Sequence, residues 1–231
     1  MAPLTPTWPQ PSHGDIQEVV INDAAFTSKS LSKITVAPYG LYAKIDFPPA
    51  TPASEPTYAT VQQGRDTHLN LNSDLVYINH SCDPSLVGAP LPPPSKKIHP
   101  PARSRKLTSP PTQQILDIPT LSFLAGPRGL VPGQELTFFY PSTEWAMAQP
   151  FTCFCSSPSC RGVINGAGAM SQKSLEGIYL NGYIRDMLAE RWARESNGVK
   201  GGEMGKARVN GERGVTSREL SGEMGGDTVR V

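Results

Sequence analysis

The sequence lacks the features that mark membrane proteins, secreted proteins and strongly basic nucleic-acid-binding proteins. Its 231 residues contain no apolar run near the roughly 20 residues that a membrane-spanning helix needs. The N-terminus lacks the charged and apolar regions of a secretory signal, and a net charge of +1 gives no overall field that attracts nucleic acid or membrane. We therefore expect an intracellular protein of the nucleus or cytoplasm, without a membrane partner.

Cysteine is scarce, and its placement is uneven. The first of the four cysteines is Cys82, and the others, Cys153, Cys155 and Cys160, follow within one short segment. An even number permits two disulfides, but a reducing compartment disfavours them. Thiolates are strong zinc ligands, and structural zinc sites usually have four ligands. The C-x-C-x4-C spacing, with Cys82 as the fourth ligand, predicts one structural zinc ion. The alternative is a set of unligated, reduced cysteines on a loop.

Proline and glycine are abundant but concentrated in a few segments. Residues 1–14 are rich in proline, and we expect them to be loose. Residues 88–111 contain eight prolines, five lysines or arginines and no acid, which predicts an exposed, disordered, basic insertion. Residues 197–231 contain nine glycines and no aromatic residue, which predicts a disordered tail.

The remaining chain carries short strand patterns and one helical pattern. Ile184, Leu188 and Trp192 recur every four residues within residues 167–196, and Asn181-Gly182 is expected to split this helical segment. The sequence therefore predicts a mainly β fold with a helical segment near its C-terminus. Runs of β-branched or aromatic residues predict strands at 34–36, 41–45, 58–61, 68–71, 121–124 and 135–140.

A dense polar stretch, residues 79–85 (NHSCDPS), follows an apolar run directly. The amide of Asn79 offers both a donor and an acceptor, which suits a ligand that carries amino and carboxylate groups. His80 taken alone is more simply a hydrogen-bonded core residue. Asp83-Pro84 taken alone is a plain turn.

Three motifs together resemble those of the SET-domain protein lysine methyltransferases. Residues 79–85 resemble the signature of that family, residues 135–140 (ELTFFY) its second core motif, and residues 153–162 (CFCSSPSCRG) its zinc-binding post-SET segment. The motifs occur in the order of the family, and the likeness covers residues 34–166 apart from the insertion. One motif departs: Gly40 matches the N-terminal glycine turn, but the earlier glycine of that turn is replaced.

The resemblance implies a fold of small twisted β-sheets with a pseudoknot. Residues 15–150 would form the SET-like catalytic domain and residues 151–166 the post-SET zinc segment. The implied activity is methyl transfer from S-adenosylmethionine to the side-chain amine of a lysine in a protein substrate, histone or non-histone. The implied roles are cofactor binding by Gly40, Tyr42, Asn79 and the backbone at His80; catalysis by Tyr140; tuning of the methylation state by Phe138; and zinc binding by Cys82, Cys153, Cys155 and Cys160.

Two alternatives remain open from the sequence. Phe138 and Tyr140 are also ordinary core residues of a hydrophobic strand. The altered turn at Gly40 allows a catalytically inactive, zinc-stabilised SET-like module that binds proteins. The basic insertion predicts weak nucleic-acid binding at most, because its charges lack aromatic stacking partners.

Overall fold

The prediction of a mainly β chain is confirmed. The computed structural model describes residues 6–22, 27–45, 48–90 and 121–196, and most elements in these ranges are short strands in four small sheets. Residues 91–111 of the predicted insertion, and the predicted tail at 197–231, lie outside the described residues. Three residues assigned to the insertion belong instead to a strand, because residues 88–90 continue its pairing.

The strands are short, and each is bounded by turns. They are β1 (Gln17–Asn22), β2 (Thr27–Ser32), β3 (Leu41–Lys44), β4 (Thr51–Ala53), β5 (Thr60–Gln62), β6 (His68–Asn70), β7 (Asn79–His80), β8 (Leu86–Pro90), β9 (Leu121–Ala125), β10 (Glu135–Phe138), β11 (Phe151–Thr152) and β12 (Val163–Ile164). Short 3-10 helices cover Asp74–Tyr77, Tyr140–Ser142 and Ala167–Ala169, and the α-helices are α1 (Gln172–Leu175) and α2 (Gly182–Ser196).

One parallel strand pair brings two distant polar segments together. The largest sheet has the order β1-β2-β10-β7, in which β10 is antiparallel to β2 and parallel to β7. In the parallel pair, Asn79 lies opposite Thr137 and His80 lies opposite Phe138. The other sheets have the orders β3-β9-β8, β4-β6-β5 and β11-β12. The predicted NHSC segment therefore lies directly beside the segment that leads to Tyr140.

Most of these sheets share one hydrophobic core, which we call the sheet core. Burial of each large aliphatic side chain stabilises the fold by about 1.5–3 kcal/mol. Tyr140 and Val76 pack against the sheet core from its edge. Its buried members are Tyr42, Ala43, Ile45, Val61, Leu69, Leu71, Leu75, Ile78, Leu86, Phe123, Ala125, Leu130, Leu136 and Phe138.

The strand β2 is held by polar contacts on its buried face. Its inward side chains are Ser28, Ser30 and Ser32 rather than apolar residues. The Ser30 hydroxyl donates to the Tyr77 carbonyl oxygen at 2.9 Å and accepts from Gln17 Nε2 at 2.8 Å. Buried hydroxyl groups need such partners, because an unsatisfied polar group costs roughly 1–3 kcal/mol.

Several predicted strands differ in their bounds. Residues 34–36 form only an isolated bridge, between Val36 and Leu130, and Tyr58 lies in a turn before β5. The strand predicted at 135–140 ends at Phe138, and a 3-10 helix begins at Tyr140. Pro141 lies in the first turn of that helix, and a proline has no backbone N–H with which to continue a strand ladder.

The N-terminal segment is attached where the structure describes it, which corrects the expectation of a loose segment at residues 1–14. Asp74 is 2% exposed and accepts three hydrogen bonds from this segment. They come from Trp8 Nε1 at 2.8 Å, Gln10 Nε2 at 2.9 Å and the Ser12 backbone N–H at 2.7 Å. A buried carboxylate accepts charge-assisted hydrogen bonds strongly, so these contacts fix residues 8–12 on the domain.

A second hydrophobic cluster, which we call the cysteine core, contains α2 and the cysteine segment. As predicted, Asn181-Gly182 divides the helical segment, because α2 begins at Gly182 while the Asn181 side chain donates to the Ser142 carbonyl oxygen at 2.9 Å. No helix within the described ranges is both long enough and apolar enough to cross a membrane. The buried members are Cys82, Phe139, Phe151, Cys153, Ile164, Ala167, Met170, Leu175, Leu180, Ile184 and Leu188.

Candidate active site and metal centre

The phenol of Tyr140 is fixed at the point where the two cores meet. Its hydroxyl donates to the Ile78 carbonyl oxygen at 3.0 Å, and its backbone N–H donates to His80 Nδ1 at 3.2 Å. The ring of Phe138 lies 4.7 Å from the Tyr140 ring, centroid to centroid, and packs against it at 44°. Tyr140 is packed against both the sheet core and the cysteine core. The aromatic pair therefore has a single well-defined orientation.

His80 joins Tyr140 to the cysteines. Its side chain is 1% exposed, and burial lowers its pKa, so the imidazole is neutral at neutral pH. Because Nδ1 accepts from the Tyr140 N–H, the ring proton is on Nε2, which lies 3.4 Å from Cys82 Sγ. The His80 side chain is thus a hydrogen-bonded core group, and its expected contact with a cofactor falls on the backbone alone.

The four cysteines converge, as their spacing predicts. One ligand atom from each of Cys82, Cys153, Cys155 and Cys160 lies within 4.8 Å of all the others. Cys82 Sγ and Cys153 Sγ are 3.9 Å apart. A tetrahedral zinc ion with Zn–S bonds of about 2.3 Å would require sulfur atoms ~3.8 Å apart. The geometry and the donor set therefore fit a four-coordinate thiophilic ion.

Backbone amides and His80 surround the sulfur atoms. The hydrogen bond from Cys153 lowers the pKa of the Cys82 thiol, and His80 and the Arg161 N–H reinforce that effect. The Arg161 N–H lies 3.4 Å from Cys82 Sγ, and the Cys155 N–H lies 3.5 Å from Cys153 Sγ. Such donors stabilise thiolates and orient them as metal ligands. The same contact raises the pKa of the Cys153 thiol, so only one sulfur of this pair is favoured as a thiolate, and it is the geometry of the four thiols that fits a cation.

A cavity opens beside Tyr140, on the side of the sheet core. It measures about 460 Å³, its open mouth included. Most of its lining residues are aliphatic or aromatic, and Glu144 is the acidic residue among them. The lining residues are Thr57, Tyr58, Ala59, Thr60, Val61, Leu71, Val76, Ile78, Phe138, Tyr140, Glu144, Met147 and Ala148.

The comparison with known proteins identifies the class of enzyme. No family model matches the chain. Methyltransferase flvH of Aspergillus flavus is 37% identical to this chain over 190 residues, which is 82% of this chain and 90% of that protein. The chain belongs to the family of this methyltransferase. It is therefore a methyl-transferring enzyme, and the predicted methyl transfer is confirmed at that level.

The predicted cofactor residues of this methyltransferase lie outside the lining of the cavity. Asn79 is 1% exposed, and its Nδ2 donates to the Ser28 carbonyl oxygen at 2.7 Å. Tyr42 is buried in the sheet core, and its hydroxyl donates to the Ile16 carbonyl oxygen at 3.0 Å. Burial raises the pKa of Tyr42, so the phenol stays neutral. Of the predicted site residues, only Phe138 and Tyr140 face the cavity.

The turn at Gly40 brings bare backbone close to its neighbours. A Cβ atom on Gly40 would lie 2.8 Å from Val36 Cγ1 and 3.0 Å from the Ala37 carbonyl oxygen. Tyr39, which precedes it, has φ of 59° and is 65% exposed. A side chain at position 40 would therefore force this turn to shift.

Glu144 is the site residue of the methyltransferase that sequence reasoning missed. Burial raises the pKa of its carboxyl group to about 7. Its Oε1 accepts from the Gln62 backbone N–H at 2.7 Å and from Thr143 Oγ1 at 3.2 Å, and His68 Nε2 lies 3.9 Å from Oε2. Burial also lowers the pKa of His68, so this imidazole is neutral near neutral pH and forms no strong ion pair with the carboxyl group, which is about half ionised there.

Arg161 belongs to the predicted post-SET motif but was given no role of its own, and it fixes the cysteine segment. Its Nη1 donates to the Cys82 carbonyl oxygen at 3.2 Å, and its Nε donates to the Ser174 carbonyl oxygen at 2.9 Å. The guanidinium also lies over the Phe139 ring, 5.0 Å from the ring centre. Its position directly after Cys160 was the available sequence signal, since a cation beside thiolates stabilises them.

Proposed function

We propose that this methyltransferase transfers a methyl group from S-adenosylmethionine to the side-chain amine of a lysine in a protein substrate. The proposal takes the fold as a SET domain with a post-SET zinc segment, in the nucleus or cytoplasm. The observation that carries it is the Tyr140 phenol, which is fixed in the wall of a largely apolar cavity, while the Tyr140 backbone N–H donates to His80 beside four converging thiols.

The cavity suits an amine that must lose its proton before it reacts. A free lysine has a pKa of about 10.4, so the nucleophilic neutral form is rare at neutral pH. An amine bound against Phe138 and Tyr140 would lose part of its hydration, which disfavours the ammonium form and lowers that pKa. The aromatic pair also holds the amine in one orientation, and such positioning contributes much of the rate of a two-substrate reaction.

S-adenosylmethionine supplies an electrophilic methyl group on a sulfonium. The new bond forms between the amine nitrogen and this carbon, the carbon–sulfur bond breaks, and the proton of the amine leaves to solvent. The Tyr140 oxygen and the Ile78 carbonyl oxygen, 3.0 Å apart, present electronegative atoms at the cavity wall. Such atoms orient a polarised methyl group through weak C–H contacts, which are worth about 0.5–1 kcal/mol each.

Cofactor binding is assigned to Gly40, Tyr42, Asn79 and the backbone at His80. A side chain at Gly40 would clash with Val36 and Ala37, so the contribution proposed for Gly40 is to keep this turn in place. The Nδ2 of Asn79 and the hydroxyl of Tyr42 donate to main-chain oxygens within the protein. Their proposed contribution is therefore to fix the strands whose backbone contacts the cofactor.

The four thiols are assigned one structural zinc ion. Zinc accepts four thiolates without redox chemistry, and its binding would order a segment that is rich in serine and proline. Cys82 follows β7 and the other ligands follow β11, so the ion would connect the strand that carries His80 to the cysteine core. In this arrangement the metal supports the site and takes no part in the transfer.

The test is incorporation of label from methyl-labelled S-adenosylmethionine into a cell extract, with native protein and with Tyr140→Phe. We expect labelled protein bands that yield Nε-methyl-lysine on hydrolysis, and a loss of about 10²-fold or more in kcat/KM for the variant, as for other single groups that act in a transition state. The variant should remain folded, because one hydrogen bond contributes only about 1 kcal/mol.

The possible results separate the alternatives. Label on an atom other than lysine Nε would keep methyl transfer but refute the substrate assignment. Cofactor binding without any transfer would support the inactive interaction module. Full activity in Tyr140→Phe would remove this residue from the chemistry.

A further inference from the structure

We propose that Glu144 makes the cavity beside Tyr140 selective for cationic amines, with its carboxylate as the group that binds the ammonium. This inference rests on the proposed function in treating the cavity as the amine site. It adds a specificity-determining residue that lies outside the three motifs of the sequence. It also predicts that the amine enters as its cation and loses its proton in a later step, because the carboxylate favours the ammonium form whereas the apolar walls disfavour it.

The first observation that supports this inference is the position of the Glu144 carboxyl group. Glu144 lines the same cavity as Phe138 and Tyr140, and only 8% of the residue is exposed. Its backbone N–H donates to the Tyr140 carbonyl oxygen at 2.9 Å, so the two residues are held in one rigid turn. The carboxyl group is therefore a fixed part of the wall and not a mobile surface acid.

The two carboxyl oxygens of Glu144 differ in the hydrogen bonds that they accept. Within the described part of the chain, both hydrogen bonds to Glu144 reach Oε1, from Gln62 and Thr143. His68 Nε2 is 3.9 Å from Oε2, which is beyond hydrogen-bond range. A carboxylate accepts about four hydrogen bonds, so Oε2 retains acceptor capacity towards a ligand.

The surrounding groups leave the carboxylate without a strong counter-charge. His68 of β6 is the one cationic side-chain type that comes within 4 Å of Glu144 among the described residues, and burial lowers the pKa of that imidazole. Tyr183 of α2 faces the same region, but its hydroxyl donates to the carbonyl oxygens of Gln62 and Thr143. An ionised carboxylate that is buried and unpaired is costly, so a bound ammonium would relieve that cost.

The walls strengthen an ammonium–carboxylate pair. Charges attract more strongly where apolar side chains replace water, and Val61, Leu71 and Ile78 surround the cavity. The aromatic faces of Phe138 and Tyr140 can add attraction for a cation. A neutral ligand of the same shape gains neither interaction. The carboxylate, rather than the volume of the cavity, is thus the expected source of selectivity.

A matched substitution separates recognition from structure. Glu144→Gln keeps a carbonyl oxygen that can accept from the Gln62 and Thr143 donors, while it removes the charge and replaces the second oxygen with an NH2 donor. The variant should also be folded: a carboxyl group whose pKa is raised in the folded state loses its stabilising effect as pH rises through that pKa, near 7. At pH 8 the variant should therefore unfold at a temperature equal to or above that of the native protein.

The experiment titrates the full chain with n-butylammonium and, as the neutral probe, with n-butanol, by calorimetry or NMR at pH 8. We expect binding of the ammonium, at least tenfold weaker binding in Glu144→Gln, and equal binding of butanol in both proteins. Below pH 7 the affinity of the native protein for the ammonium should fall towards tenfold per pH unit, because the carboxylate becomes protonated. The affinity of the variant should not change.

Equal ammonium affinities in the two proteins, or an affinity in the native protein that is flat from pH 8 to pH 5.5, would overturn the inference. The test requires no methyl transfer, so it stands apart from the proposed function. Ammonium binding without transfer would refute the proposed function and leave the amine site intact. Transfer with an unchanged KM in Glu144→Gln would do the reverse.

Discussion

The sheet core and the cysteine core of this methyltransferase are built in different ways. The sheet core lies between strands that pair over as many as five residues, as β8 does with β9. The cysteine core contains a single strand pair of two residues, β11 with β12, and otherwise consists of turns, α2 and the thiol cluster. The sheet core is therefore stabilised by many similar contacts. The cysteine core depends on a few contacts, and the loss of any one of them cannot be compensated by the others.

The candidate active site lies between these two kinds of structure. His80 lies in β7 of the large sheet and Tyr140 follows β10, yet His80 reaches Cys82 and the Tyr140 ring packs against Phe151 of the cysteine core, 6.0 Å between ring centroids. The cavity lies on the sheet side of Tyr140, and the proposed zinc lies beyond His80. Damage to either core should therefore affect the site, but through different contacts and by different amounts.

Removal of one thiol should have the largest effect, and it should disrupt the cysteine core but not the sheet core. Cys153→Ser should abolish zinc binding and unfold the cysteine core, because a structural zinc ion contributes about 10 kcal/mol or more. The sheet core should survive. Hydrogen exchange should then show rapid exchange in β11, β12 and α2, with protection retained between β8 and β9. Metal analysis should fall from one zinc per chain to none.

The control for this experiment is Ser159→Ala, an exposed substitution in the same loop that leaves every thiol in place. It should change neither the metal content nor the exchange pattern. Protection of α2 in metal-free Cys153→Ser protein would show that the cysteine core folds without an ion, and the two regions would then differ less than we argue.

A buried glutamine that joins the two regions should give a smaller effect. Gln62 of β5 is 3% exposed, and its Oε1 accepts from the Trp145 backbone N–H at 2.7 Å while its Nε2 donates to the Gly64 carbonyl oxygen at 2.7 Å. Gln62→Met keeps the volume but leaves these buried groups unsatisfied. We expect a loss of about 1–3 kcal/mol in the free energy of unfolding, measured with denaturant.

Gln63→Met is the matched control, because this neighbour is half-buried and its backbone makes the ordinary hairpin bond to Thr67. A change of less than about 0.5 kcal/mol is expected for such a surface position. If both variants lose equal stability, the join between the regions does not depend on the Gln62 side chain.

The difference between the regions also explains what the sequence revealed. Strands such as β3, β9 and β10 carry β-branched or aromatic runs, and their positions were predicted to within a few residues. The buried face of β2 consists of Ser28, Ser30 and Ser32, so hydrophobic alternation does not mark it. The thiols were predicted to meet because a four-ligand site needs Cys82, whereas packing gave no such signal.

The site residues could be predicted only where a motif of residue types indicates their chemistry. Tyr140 and the cysteines stand in recognisable motifs, but Glu144 does not. Its orientation depends on the Gln62 backbone N–H, 82 residues away in the sequence, and no local pattern records that contact. The aromatic character of the cavity could be inferred from residues 135–140, while its one acidic group required the tertiary structure.

The smallest effect is expected for an exposed ion pair that spans the same two regions as Gln62. Arg65, in the loop before β6, forms a two-pronged pair with Glu190 of α2, and both side chains are about half exposed, at 49% and 48%. Arg65 lowers the pKa of Glu190, so any stabilisation is present at neutral pH and is lost as pH falls through that lowered pKa. Water and salt screen such pairs, and ordering two long side chains offsets the attraction.

Glu190→Gln should therefore leave the unfolding temperature at neutral pH and physiological salt unchanged within error, as should the control Glu195→Gln, whose partner Arg191 lies on the same helix. A loss in Glu190→Gln equal to that in Gln62→Met would mean that surface charge, and not buried hydrogen bonding, holds the two regions together.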